Sequence, residues 1–404
     1  MKTFAALRDS LDSFLTSHLD GLENEQRIEA LGWYCQGLGF ETEAKTALGL
    51  AGVITPHSVQ ATRQRIQRAL QQSRFEHEEI FTRLQKSIFE SGLMQAYCID
   101  DTGIAKKGEY SVGVHRQYSG TLGKVGNCQV IVSLNGVSDS VGSCLGLQLY
   151  LPEAWCQDAE RLAAAKVPEG SEFKKKWEIA LALLDSALDN DGPLLPVLAD
   201  AGYGDSRSFR DGLRERKLQY AVGISSQTNV WKAQIQHKVP QWRGCGKVPT
   251  RSRPADDSSP MRVEELAQEL EFKETCWRVG TKGPLSAEFA ATRVRSAEYH
   301  KKREPGEEEW LVVEREKNGD LKYYLCSASR RANLLSLVRL IKMRWHIERD
   351  YQDMKQQLGF DKYEGRTWGG LHRHLAMVAL LHAFISLHRE AFSPSGLGAE
   401  VDLQ

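Results

Sequence analysis

Between residues 94 and 224 the chain lays out segments in an order that few folds accommodate. Met94–Ile99, Cys128–Leu134 and Cys144–Leu151 are short runs rich in Val, Ile and Leu, bounded by Gly, Asn and Ser. They read as three strands in hairpin order. Phe173–Leu188 follows, with Trp177, Ala180, Leu181, Leu184 and Leu188 on one side of a helix. Leu194–Ala199 is a fully apolar strand that ends in Asp200. Ser206–Arg216 is a helix with Ser206 as its cap, and Tyr220–Ile224 is a further strand.

The flanks differ from this core. Residues 1–90 read as helical, because Leu7, Leu11, Phe14 and Leu15 recur at helical spacing, as do Ile28, Leu31, Tyr34 and Cys35. Pro56 can open a helix that runs through Arg63, Ile66, Leu70 and Phe75 with a basic face. Two readings of this region stay open, a domain that binds DNA ends and a plain helical cap. Residues 226–330 hold Pro-, Ser- and Arg-rich segments and strand-like pieces. The last two, Trp310–Glu314 and Leu321–Ser327, flank the hairpin signal Asn318-Gly319. A long helix over Asn333–Gln357, ended near Gly359, and an apolar helix over Leu371–Leu387 complete the pattern. The expected organisation is a helical domain over 1–90, a catalytic domain over 91–225 and 331–390, a β-rich insertion over 226–330 and a tail over 391–404.

Composition sets outer limits. The 404 residues are ample for a large core, and 53 Lys plus Arg balance 53 Asp plus Glu. A globally basic nucleic-acid binder is therefore excluded, although a local basic groove needs no overall surplus. Eight Cys are scattered with no C-x-x-C pair, which reads as reduced and mostly buried thiols rather than a zinc or redox site. The N-terminus meets a charge too early for a signal-peptide core. No stretch approaches the ~20 apolar residues of a membrane span. A cytoplasmic protein with no membrane partner is expected, associated with the nucleoid when DNA-bound.

The order β-β-β-α-β-α-β, followed by a β-rich block and two helices, describes an RNase H-like α/β fold: a mixed sheet flanked by helices. In that fold the first and fourth strands lie side by side. Their ends would bring Asp101 and Asp200 together, and a helix packed on the sheet would deliver Glu348. Oxygen donors without a His or Cys cluster suit Mg²⁺, a hard cation that takes few protein ligands. Two such ions ~3.5–4 Å apart activate an attacking oxygen and stabilise a leaving one.

The late helix adds cations to the acid. Arg344 precedes Glu348 by four residues and Lys355 follows it by seven, so one continuous helix would carry all three on one face. Arg344 suits a bidentate phosphate contact and Lys355 a point-charge contact. An ordinary amphipathic helix with surface ion pairs fits the same spacing. Asp100 and Asp101 are neighbours on a strand and point to opposite faces, so only one should reach the metals.

Arg344-x-x-x-Glu348-x-x-x-x-x-x-Lys355 resembles the Y-(2)-R-(3)-E-(6)-K signature of DDE-type insertion-sequence transposases. Ile99-Asp100-Asp101-Thr102-Gly103 is similar to their first-aspartate strand, and Leu198-Ala199-Asp200-Ala201-Gly202-Tyr203-Gly204 to their second. Tyr363-Glu364-Gly365-Arg366-Thr367-Trp368 and the His372-Arg373-His374 helix also look like one bacterial branch of the family. The resemblance covers about 90–390. The signature's tyrosine position holds Ile341, and Tyr351 is the candidate substitute.

The resemblance implies Asp101, the Asp directly before Thr, together with Asp200 and Glu348 as catalytic residues and ligands of two Mg²⁺ ions, with Mn²⁺ as a substitute. It implies double-stranded DNA as partner (terminal inverted repeats and target) and a homodimer in the synaptic complex. The implied reaction is end cleavage and strand transfer, with Arg344 and Lys355 on the DNA. Lys106, Lys107, Arg207, Arg210 and Trp368 are further candidate DNA contacts, each with a bland alternative as a solvated or packed side chain. The rivals are an RNase H-like metal nuclease without strand transfer and a catalytically silent DNA-binding protein of transposase descent.

Overall fold

The computed structural model describes residues 4–388 apart from 43, 121–122, 140, 256–257, 281–282 and 299–303; the expected tail over 391–404 lies outside the described residues. The chain divides into two compact units, 1–193 with 345–404, and 194–344.

The first unit opens with five helices: α1 (Phe4–Leu19), α2 (Glu25–Gly39), α3 (Ala47–Ile54), α4 (Val59–Gln72) and α5 (His77–Glu90). Pro56 lies in the turn ahead of α4, whose N-cap is Ser58. Strands β1 (Ala96–Ala105), β2 (His115–Ser119), β3 (Lys124–Val137) and β4 (Gly142–Tyr150) follow. Long β3 is the spine: β1 pairs with one edge, and β2 and β4 share the other, all antiparallel. Next come α6 (Glu153–Cys156), α7 (Ala159–Ala164) and α8 (Lys176–Asp189). The helix α8 starts where Glu178 reaches back to accept the Lys175 N–H at 2.7 Å.

Residues 1–90 do not form a compact unit of their own. Gln85 on α5 donates to the Leu145 carbonyl of β4 at 2.8 Å, a buried tie between helix and sheet.

The second unit contains β5 (Val197–Ala199), α9 (Ala201–Gly204), α10 (Arg207–Glu215), β6 (Tyr220–Ile224), β7 (Asn229–Lys232), β8 (His237–Lys238), β9 (Arg253–Pro254), β10 (Met261–Arg262), α11 (Val263–Ala267), β11 (Lys273–Gly280), β12 (Gly283–Ser296), β13 (Glu308–Arg315), β14 (Leu321–Cys326) and α12 (Leu334–Lys342). Its sheet runs β10-β7-β12-β13-β14-β6-β5, with β11 also on β12. Only β5 and β6 are parallel in it, so the sheet is mixed. Asn318-Gly319 makes the predicted hairpin turn, with Gly319 at φ +91°. The α/β class and the order of the main elements over 94–224 are those expected, with β2 and the short helices α6, α7 and α9 as additions.

The chain re-enters the first unit with α13 (Trp345–Gln356) and α14 (Trp368–Leu387). The single helix expected over Asn333–Gln357 is thus two. No Pro or Gly marks the break. It is made by backbone hydrogen bonds, with Met343 N–H shared among the Arg339, Leu340 and Ile341 carbonyls and Arg344 N–H turning back to Ile341.

The helix α14 corrects a second expectation. It is long and apolar enough to cross a membrane by length and composition, yet 83% of its apolar window is buried inside the unit. Three histidines on it are buried. His374 Nε2 donates to the Phe360 carbonyl at 3.1 Å, and in the neutral imidazole its Nδ1 accepts from Tyr34 OH at 2.8 Å.

Burial pushes His374 and His382 each down to about 4, and His372 well below its ordinary 6.5. Unfolded, these groups bind protons below about 6.5; folded, His374 and His382 resist until about 4, and His372 too stays neutral well below 6.5. Their stability contribution is therefore intact above that window and lost as pH falls through it. For His374 and His382 the depression corresponds to roughly 3 kcal/mol each. We expect the urea midpoint to drop between pH 7.5 and pH 5, and His374→Gln to shrink the drop. Equal midpoints at the two pH values would contradict the buried neutral assignment.

Candidate active site

The register of β1 on β3 sorts the two adjacent acids. Asp100 lies opposite Ser133 and Asp101 opposite Val132. Partners in an antiparallel pair share a face, and neighbours along a strand do not. Ser133 Oγ meets Tyr351 OH of α13 at 2.7 Å and takes a hydrogen bond from Asn135 Nδ2 at 2.8 Å. Thr102, two residues beyond Asp100, accepts at Oγ1 from Lys355 Nζ of α13 at 2.6 Å, and Lys355 also bonds the Gly103 carbonyl at 3.1 Å. Asp100 and Thr102 therefore face α13.

The opposite face carries Asp101, whose Oδ2 pairs with Lys176 Nζ of α8 at 3.0 Å. Gly103 lies on that face too, where a Cβ would sit 2.0 Å from Ser119 Oγ. Strand alternation thus puts Asp100 on the face that meets α13 and turns Asp101 toward α8.

Helix α13 presents Glu348, Tyr351 and Lys355 at spacings of three and four, one stripe along the helix. Glu348 is exposed and in the first turn, where the helix dipole favours a negative charge. Tyr351 is buried. That burial, and next the charge of Asp100, pushes its phenol well above its usual range, so it stays protonated and bonded to Ser133. Burial lowers the Lys355 ammonium from its ordinary value, with Asp361 opposing.

Arg344 lies in the turn between α12 and α13, half-buried, and its charge reaches Tyr324.

Asp200 belongs to the second unit. It caps α9, with Oδ1 accepting the Gly202 N–H at 2.9 Å. Gly204, the last residue of its motif, must lack a side chain: a Cβ there would lie 1.9 Å from the Gly223 carbonyl of β6.

The candidate DNA contacts divide. Lys107 is exposed. Lys106 is turned inward, its Nζ donating to the Tyr363 carbonyl at 2.7 Å. Arg207 donates to the Glu304 carbonyl at 2.9 Å and pairs with Asp211 at 3.6 Å. Arg210 is fully buried against Glu298, the Ser296 hydroxyl and the Gly204 carbonyl, which removes it from any surface. Trp368 is buried at the start of α14, its ring 4.1 Å from that of His372, so it is a core residue and not a base-stacking one.

Sequence reasoning missed Lys176 and the Ser133–Asn135 pair. No local signal identifies either, since each acts through a strand or helix distant in the chain. Glu76, His77 and Glu78 bring donor atoms within 4.8 Å of one another, but Glu76 is the N-cap of α5 and Glu79 completes its capping box.

The sequence matches the family described as DDE superfamily endonuclease over residues 18–284. It is 36% identical over 140 residues to a probable transposase for insertion sequence element IS701 from Microchaete diplosiphon, which covers 34% of each chain. The chain thus spans about a third of the length of that relative. Among solved structures, a cryo-EM structure of the piggyBac transposase synaptic complex with hairpin DNA aligns over 91% of this chain and 67% of the other, at 12% identity and a TM-score of 0.44. Matched by that family over well more than half of its length, the chain belongs to the DDE superfamily endonucleases.

Proposed function

We propose that the protein is a transposase of a bacterial insertion sequence that cleaves its element's ends and joins them to target DNA. In this reading the carboxylates of the reaction are Asp100 and Glu348 of the first unit and Asp200 of the second, the last named from its resemblance to the family's second-aspartate motif. The observation that carries this reading is the face shared by Asp100 on β1 and by Glu348, Tyr351 and Lys355 on α13.

The donor chemistry fits a pair of hard divalent cations. All three side chains offer carboxylate oxygen, and none of the motifs contributes a thiolate or imidazole. When bound, paired Mg²⁺ ions, or Mn²⁺ in their place, supply charge stabilisation for the attacking and leaving oxygens of an in-line phosphoryl displacement. The chain's own residues hold the acids in position. Lys355 braces α13 on the strand through Thr102 and Gly103, and Tyr351 does so through Ser133. The Lys176 pair keeps Asp101 on the far face.

In the same reading, the helices of 1–90 bind the terminal inverted repeats and the strands of 226–330 wall the DNA. Two copies act together in the synaptic complex, in the bacterial cytoplasm on nucleoid DNA. Incubation with Mg²⁺ and a duplex bearing the inverted repeats that flank the coding region tests this. Nicking at the element end and a joined product with target DNA are expected. Nicking without joining would reduce the protein to a nuclease, and neither product would remove the reading.

A further inference from the structure

The β2–β3 hairpin continues the face of Asp100 beyond the end of β1. Along β3 the register runs from Ser133, opposite Asp100, to Asn127, opposite Arg116, and Val125, opposite Tyr118. Ser133, Asn127 and Val125 alternate onto one face, so Arg116 and Tyr118 share it with Asp100. At this outer end no helix among the described residues covers the face: Arg116 is exposed, Tyr118 is 65% exposed and Val125 51%. The Asn127 amide donates to the Lys106 and Gly108 carbonyls at 3.0 and 2.8 Å, which holds the loop with exposed Lys107 over the same face. Bonds from Lys106 to the Tyr363 carbonyl and from Arg161 to the Glu109 carbonyl, each 2.7 Å, fix the hairpin's root.

Charge selects the occupant. Residues 104–127 carry Lys106, Lys107, Arg116 and Lys124 against a single acid, Glu109, in a chain with no net charge. An exposed tyrosine beside an arginine on a rigid strand pair combines a stacking surface with a phosphate contact, the pairing that single strands of nucleic acid require.

We propose that this hairpin is a second DNA-binding surface, on which Tyr118 stacks against an unpaired base while Arg116 and Lys107 hold the adjoining phosphates. The proposal rests on the transposase reading and deepens it. Eight positions of strand separate the registers of Asp100 and Tyr118, at most ~27 Å. At the ~3.4 Å per nucleotide of a duplex strand, the bound base lies at most about eight nucleotides from the cleaved phosphate.

Binding of the full chain to fluorescein-labelled dT20 and to a 20-base-pair duplex, in EDTA and over a range of KCl, tests this. Tyr118→Ala is expected to weaken dT20 binding about tenfold and the duplex much less. Arg116→Ala with Lys107→Ala is expected to reduce the log–log salt slope for dT20 by about 1.4. Lys317→Ala, an exposed lysine in the second unit, serves as the control, and melting curves verify folding of each variant. If the wild-type chain binds DNA and the hairpin variants match it, the hairpin assignment is overturned while the transposase reading stands. If the wild-type chain binds neither DNA, the transposase reading itself fails.

Discussion

Asp100→Asn is expected to lower Mg²⁺-dependent cleavage by at least ~10³-fold, whereas Asp101→Asn should retain most of it. The two acids are adjacent in sequence and differ only in the face they occupy. Asp100 shares its face with Ser133, Thr102 and the buried phenol of Tyr351. Asp101 points the other way and pairs with Lys176, and both partners of that bridge are about one-quarter to one-third exposed. A bridge so open to water contributes no more than ~1 kcal/mol, so its loss should leave the fold and the active site in place. Asparagine keeps the shape of aspartate and removes the charge that a divalent cation requires. Asp200→Asn and Glu348→Gln should behave like Asp100→Asn, and DNA binding in EDTA should survive in all three. A fully active Asp100→Asn beside an inactive Asp101→Asn would reverse the assignment and return the site to the face of α8.

The same pair of acids marks how far the sequence can be read. The strands β1, β3, β4, β5 and β6 were legible because each is a compact apolar run, α8 because its apolar residues recur at helical spacing, and α10 from its cap Ser206. What β1 conceals is which face meets which helix. Ala96 and Cys98 on one side, and Tyr97 and Ile99 on the other, are all buried, so no polar–apolar alternation tells the sides apart. Only pairing with β3 and the contacts from α13 and α8 distinguish them. The break at Met343–Arg344 was hidden for a related reason: it is made by backbone hydrogen bonds between ordinary helix formers, with no Pro or Gly to announce it. Glu348 and Lys355 were correctly paired on one stripe because both fall on the same side of the break.

Arg210→Ala is expected to be among the most destabilising single changes in the second unit, although Arg210 reads in sequence as a candidate DNA contact. Its guanidinium is fully buried and engages Glu298, Ser296 Oγ at 3.2 Å and the Gly204 carbonyl. Ser296 Oγ in turn donates to Glu309 at 2.6 Å. The Glu309 carboxylate also receives Tyr220 OH at 2.7 Å and Arg214 Nη2 at 3.1 Å. The network ties α10 to β6, β12 and β13. Removing one member of a buried pair leaves the other charge uncompensated, at a cost of about 3–5 kcal/mol. Glu298 is 15% exposed and can recover some hydration, which argues for the lower end. Arg210→Met combined with Glu298→Gln keeps volume and removes both charges, so it should lose less than Arg210→Ala alone. Urea unfolding of the full chain and its variants measures both. If Arg210→Ala instead leaves the unfolding midpoint unchanged and weakens DNA binding, the guanidinium is at the surface after all and the buried network is wrong.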